Sequence, residues 1–353
     1  MKKLLFPLIL IFVSCAGNSL TLTKEDEAQV KNILTSKPHM LSSYSANVLS
    51  KPLWQRVQSA PDFLMQYLVD LDNMPSYKPY TPTAKQLAEI SNYFEMLPPL
   101  HKKVMQERLI GVYFVSTFMG GGMTDLCIDD KGEVYFFIVF NPETLLYPFS
   151  DWVTMKDETC FIPSVTADKI PVLDKPVTYS ANKINISLNG NYSGFFYILL
   201  HEGTHGVDYV KGITPYVENF CKNMKIYFNL PVKETSDFTK NVWDGIKSPV
   251  PQYDFPLRKS ITVYGWGGGP KIPVKDALGV YRSLAGTPFV TLYGTTAWAE
   301  DLAEFVTYYH LTQKLGHTYM ITVMSNGKTV FTYSPMTNEL VKARFDSVQL
   351  FYQ

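Results

Sequence analysis

The chain has 353 residues, 32 basic and 32 acidic, so its formal net charge is zero; 46% of residues are hydrophobic and 14% aromatic. Without a basic run or an arginine-rich face it lacks the electrostatic footprint of a nucleic-acid binder. The length allows one large domain or two modest ones around a substantial core.

The chain begins MKKLLFPLILIFVSC: two lysines, an apolar run from Leu4 to Val13, then Ser14 and Cys15. That run is too short to hold a bilayer-spanning helix, so residues 1–14 are expected to be an export signal. The FVSC block resembles a bacterial lipobox, with Phe12 where leucine is preferred. The resemblance implies cleavage before Cys15 and diacylation of that cysteine. Buried acyl chains contribute about 0.8 kcal/mol per methylene, enough to anchor a protein that has no membrane-spanning segment. Residues 15–50, with KEDE at 24–27 opening a short helix, are expected to be a lipid-anchored tether. The expected location is a bacterial cell envelope, and Ala16 after the cysteine implies, by the same resemblance, the outer membrane or cell surface. An oxidising compartment permits one disulfide among Cys127, Cys160 and Cys221, with the pairing open.

Residues 51–104 read as a helical N-terminal part. Leu87, Ile90, Phe94 and Leu97 recur every three to four residues, and Pro98-Pro99 stops that helix. The β-branched and aromatic segments 109–119 and 133–140 predict strands, bounded by GGG and DDKG turns. KINISLN at 183–189 alternates apolar with polar residues, as a strand at a sheet margin does. Ser193 is placed to cap the following helix and Gly212 to end it. YGWGGGP at 264–270 matches no phosphate-binding pattern and predicts a tight turn. A last helix is expected from about Thr295 to Leu311, with Trp298, Leu302, Phe305, Val306 and Tyr309 as its apolar stripe.

The chemistry is concentrated in YILLHEGTHGVDYV, 197–210. Residues four apart on a helix share a face, so His201 and His205 can offer two imidazole nitrogens to one ion, while Glu202 lies about a quarter turn away, free to act on a water. Zinc takes four donors, leaving a third protein ligand and a water to be found. On the last helix Glu300 and Glu304 are again four apart and share a face. His39, His101, His310 and His317 have no spaced partner and read as surface or structural histidines.

HExxH followed by a downstream glutamate helix resembles the gluzincin branch of zinc metallopeptidases, and YGTTAWAEDLAE at 293–304 is similar to the ligand-bearing end of protease domains of the anthrax lethal factor type. The resemblance covers about 193–210 and 291–306. It implies an α+β fold in which residues 105–353 form a zincin-like core of mixed sheet, active-site helix and glutamate-bearing helix. It implies one Zn2+ held by His201, His205 and Glu300, with Glu202 as general base and Tyr293 facing the reacting carbonyl. Glu304 or Asp208 would orient a ligand histidine through its second ring nitrogen. A metzincin would need glycine in place of Asp208 and histidine in place of Lys211; an aspartate-ligand zincin would recruit Asp301. The expected activity is hydrolysis of a peptide or protein substrate by an envelope-anchored zinc peptidase, with the strand at 183–189 available to pair with extended substrate. The alternative is an inactive zincin-like lipoprotein that binds a host, glycan or envelope partner.

Overall fold

The computed structural model describes residues 21–163 and 182–353. The export signal, Cys15 and the start of the tether lie outside the described residues. The first element, α1 (Lys24–Thr35), starts at Thr23, whose side chain accepts from the Asp26 N–H, with Glu25, Asp26 and Glu27 in the first turn, where the helix dipole favours acids. It is not a free tether. Val30 is buried with Leu126, Ile128 and Met224 in a small apolar cluster, and His39 is buried with its Nε2 3.2 Å from Asp125 Oδ2. Short segments lead to α2 (Asp62–Asp72), β1 (Lys78–Tyr80) and α3 (Ala84–Met96), the last opened by a Thr83–Gln86 capping box. Pro98-Pro99 stops α3 as expected, but Pro99 also starts α4 (Pro99–Arg108), a position where a missing N–H costs nothing.

Next come β2 (Leu109–Ser116), β3 (Gly122–Ile128), β4 (Val134–Phe140), α5 (Phe149–Glu158) and β5 (Phe161–Ile162). After these stand β6 (Asn182–Leu188), α6 (Gly194–Lys211) and α7 (Asn219–Tyr227). The remaining strands and α-helices are β7 (Trp243–Gly245), β8 (Ser248–Pro249), β9 (Ile272–Pro273), α8 (Ala277–Ala285), α9 (Trp298–Tyr309), β10 (Tyr319–Ser325), β11 (Lys328–Tyr333) and α10 (Glu339–Lys342).

The main sheet is mixed, in the order β1-β2-β4-β3, with β2 and β4 parallel and the other pairs antiparallel. Alternation along β4 sends Phe136, Ile138 and Phe140 into the large core with α6, and Phe137 and Val139 into a second core under α2. A smaller antiparallel sheet runs β11-β10-β6. The chain is thus a mixed α/β protein with a mixed sheet, consistent with the α+β expectation. Residues 51–104 are no separate layer: β1 pairs with β2, and α3 and α4 contribute Ile90, Phe94, Val104 and Met105 to the large core. Among the described residues no helix is long and apolar enough to cross a membrane.

Helix α6 runs through the centre, with every residue from Gly194 to Asp208 buried. Its glycines permit that depth. A Cβ on Gly203 would lie 2.5 Å from Met105 Cε on α4, and one on Gly206 would lie 2.3 Å from Phe136 Cε2 on β4. Gly212, at φ 61°, ends the helix as expected. Ser193 holds the cap position without capping; its Oγ and N–H both donate to the Tyr93 hydroxyl. Among the described residues Cys127, Cys160 and Cys221 are each free, so no disulfide joins any two of them.

Candidate metal centre

Helices α6 and α9 face each other, and the i, i+4 pairs read from the sequence meet across that contact. His201 Nε2 lies 3.1 Å from Glu300 Oε2 and 3.2 Å from His205 Nε2, and His205 Nε2 lies 3.5 Å from the same carboxylate oxygen. A zinc ion about 2.0–2.1 Å from each of three donors in tetrahedral geometry sets those donors about 3.3 Å apart. The three observed separations bracket that edge length, so this donor set fits a small divalent cation and leaves a corner for solvent or substrate. Among the described residues this is the one group of three such side chains with converging donor atoms.

The back of the site is closed. Glu304 is fully buried; its Oε1 sits 2.8 Å from His201 Nδ1 and also accepts from the Tyr197 hydroxyl. This fixes which His201 nitrogen faces Glu300 and His205. Oε2 of Glu304 lies 3.4 Å from Lys156 Nζ, which also lies 3.1 Å from Asp157 Oδ1. Tyr281 donates to the other Asp157 oxygen at 2.8 Å. Burial opposes a charge on Lys156, but the Glu304 and Asp157 carboxylates overcome that and hold the ammonium well above the ordinary lysine range. Burial likewise opposes the Glu304 charge, and Lys156 with the His201 and Tyr197 hydrogen bonds holds that carboxyl down to about 2. For His201, burial disfavours the charged ring, yet Glu300 and Glu304 together raise its pKa to about 10. Glu300 is pulled well below the usual carboxylate range against burial, chiefly by His205 and His201.

Glu202 stands off the ligand triangle. The single proton of Thr124 Oγ1, on β3, is shared between the Glu202 Oε2 at 2.8 Å and the Glu202 main-chain carbonyl at 2.9 Å, and among the described residues Oε1 has no partner. Its Cγ packs over Gly122, where a Cβ would lie 3.0 Å away. Tyr293, on a short turn before α9, stacks on His201 with ring centroids 5.4 Å apart and planes 7° from parallel. Burial and the neighbouring Glu300 and Glu202 push its hydroxyl pKa well up, so it stays a neutral donor.

Two expectations need correction. Asp208 does not orient a histidine: both its oxygens accept from Thr214, at 2.8 Å from N–H and 2.5 Å from Oγ1, and His205 Nδ1 has no partner among the described residues. Asp208 ties off the end of α6 instead. The margin strand at 183–189 also falls elsewhere. It is β6, at one margin of the small sheet, and none of its residues lines the cleft at the site. The strand beside the site is β3, terminal in the main sheet, whose Gly122, Met123 and Thr124 line that cleft of about 890 Å³ together with His201, Glu202, His205, Tyr293 and Glu300. Asp301, the alternative acid, is turned away and bound by Arg344 at 2.6 Å and Trp243 Nε1 at 2.9 Å.

The sequence reading missed Lys156, Tyr197 and Thr124. Tyr197 alone carried a signal, one turn before His201 on the same helix face. The remaining histidines are structural. His101 Nε2 is 3.0 Å from Thr204 Oγ1, His310 Nε2 is 2.8 Å from the Met96 carbonyl, and His317 Nε2 is 2.6 Å from the Tyr192 hydroxyl. Comparison with protein-family models, curated proteins and solved structures finds no match.

Proposed function

We propose that this chain is a zinc-dependent peptidase with a zincin-like core of the gluzincin type, lipid-anchored at Cys15 and acting on peptide or protein substrates at a bacterial cell envelope. One observation carries the reading: two imidazoles and a carboxylate converge at tetrahedral spacing while Glu202 waits beside them with an unengaged oxygen. A purely structural metal would have no use for that base or for an open cleft.

His201, His205 and Glu300 would hold the ion. A bound zinc would acidify a water and polarise a substrate carbonyl. Glu202 accepts the proton of the attacking water through its free oxygen, while Thr124 keeps the carboxylate aimed, and then returns that proton to the leaving amine. Tyr293 donates to the carbonyl oxygen as negative charge develops on it. Glu304, braced by Lys156 and Tyr197, keeps His201 Nε2 directed at the site. The outer margin of β3 is bridged to Met40 at Ile128, but its Gly122–Thr124 end lines the cleft and offers main-chain donors and acceptors to an extended peptide, which supports a peptide over a compact substrate.

The test is cleavage of a peptide library by the zinc-loaded wild type and by Glu202→Gln. Activity in the wild type and a fall of about 100-fold or more in the variant are expected for a lost general base. A zinc-loaded wild type that cleaves nothing, with zinc bound equally by both proteins, would instead favour the binding lipoprotein.

A further inference from the structure

The glycine-rich turn YGWGGGP, 264–270, forms part of the cleft wall through Tyr264 and Trp266. Tyr264 there has φ 54°, uncommon for an aromatic residue, and Gly265, Gly267 and Gly268 after it have φ of 83°, 74° and 82°. Two bonds to α5 and its C-terminal end hold it in that conformation. Its N–H donates to Thr159 Oγ1 at 2.8 Å, and its phenolic oxygen accepts from Trp152 Nε1 at 3.2 Å. The ring lies over Gly120, where a Cβ would be 3.4 Å from it. Glu202 packs over Gly122, two residues on, so the two side chains flank a length of chain no longer than about 7 Å.

The Trp152 bond uses a lone pair of the phenol and leaves its proton. Among the described residues nothing accepts that proton, and Tyr264 stands between the cleft of His201, Glu202, Tyr293 and Glu300 and a smaller pocket it lines with Trp152 and Lys156. Burial, outweighing the nearby Lys156 and the Trp152 bond, raises the Tyr264 pKa and keeps the hydroxyl protonated. Local strain with a free donor in a reactive cleft calls for a functional reading.

We infer that Tyr264 is a second catalytic hydroxyl, donating with Tyr293 to the substrate carbonyl oxygen as it becomes a tetrahedral oxyanion. The assignment rests on the peptidase reading above. As the water oxygen bonds to the carbonyl carbon, the π pair moves onto the carbonyl oxygen and the water proton goes to Glu202. When the oxyanion collapses, the C–N bond breaks and the amine leaves with that proton. Tyr264 keeps its own proton throughout and supplies a hydrogen bond that is strongest while the charge is present.

Tyr264→Phe removes one oxygen atom and preserves the ring over Gly120. In the zinc-loaded full chain its kcat is expected to fall about 100-fold, the loss typical of one oxyanion donor, with KM and zinc affinity within about twofold of wild type. Affinity for a peptide phosphinate, a stable tetrahedral mimic, is expected to drop about 10-fold or more, with binding of the uncleaved substrate by Glu202→Gln and by Glu202→Gln/Tyr264→Phe equal. Trp152→Phe, which keeps the hydroxyl and removes its anchor, is expected to cost less kcat than Tyr264→Phe. A Tyr264→Phe protein with wild-type kcat and phosphinate affinity overturns the assignment and leaves the peptidase reading intact, as does one whose activity falls only in step with lost zinc or a lower melting temperature. A wild type that binds zinc and cleaves no peptide overturns both.

Discussion

Replacing Lys156 with methionine keeps the side chain's reach and deletes a charge that the fold has sealed away, its side chain being 1% exposed. The ammonium lies 3.1 Å from Asp157 and 3.4 Å from Glu304. At an effective dielectric of about 20 each attraction is about 5 kcal/mol in gross terms. Much of that offsets the several kcal/mol needed to desolvate each ion, so breaking the cluster from the lysine side is expected to destabilise the protein by about 3–5 kcal/mol. For a chain of this size that is a fall in melting temperature of about 4–7 °C. Glu304→Gln leaves Lys156 paired with Asp157 but also removes the partner of protonated His201 at 2.8 Å, so its shift is expected to be of similar size. Both variants loosen His201 and are expected to bind zinc about 10–100-fold more weakly. Thermal unfolding followed by circular dichroism, with zinc titrations of each protein, reads all of this. A Lys156→Met or a Glu304→Gln protein as stable as wild type would refute the charge accounting.

Before metal binds, His201 should carry a proton at neutral pH, because its folded pKa of about 10 lies above the ordinary histidine value near 6.5. Its contribution to stability is therefore full below about pH 6.5 and lost as pH rises through about 10. Zinc binding at pH 7.5 is accordingly expected to release at least one proton per ion, read by calorimetry in buffers of different ionisation enthalpy; release of none contradicts the assignment. Gly206→Ala places a methyl 2.3 Å from the Phe136 ring, and the overpacking should cost about 1–3 kcal/mol in urea unfolding. An unchanged midpoint would mean that α6 does not lie this close to β4.

What the sequence displayed was periodicity. The i, i+4 spacing of His201 with His205 and of Glu300 with Glu304 set each pair on one helix face, and the fold brings those faces together. The apolar runs gave β2, β4 and β6 for the same reason. Strand β3, GMTDLCI, has glycine, threonine and aspartate in place of a clean alternation, because Thr124 serves Glu202 and Asp125 bonds Tyr67 and His39. The hairpin of β10 and β11 did carry a readable mark, Asn326-Gly327, whose φ angles of 49° and 74° are those of a two-residue hairpin turn. Lys156 and Tyr264 had no local signature. A lysine on a short helix and a tyrosine in a glycine turn gain their meaning only from segments more than 100 residues away, Glu304 for the first and Trp152 for the second.

The central claim is that α6 and α9 together form one divalent-cation site with an open position. Zinc content and zinc K-edge absorption of the purified chain test it most directly. The expected result is one zinc per chain, bound by two imidazole nitrogens and oxygen donors, and lost together in His201→Ala and Glu300→Ala. A chain that takes up no zinc, or whose zinc is held undiminished by both variants, would contradict it.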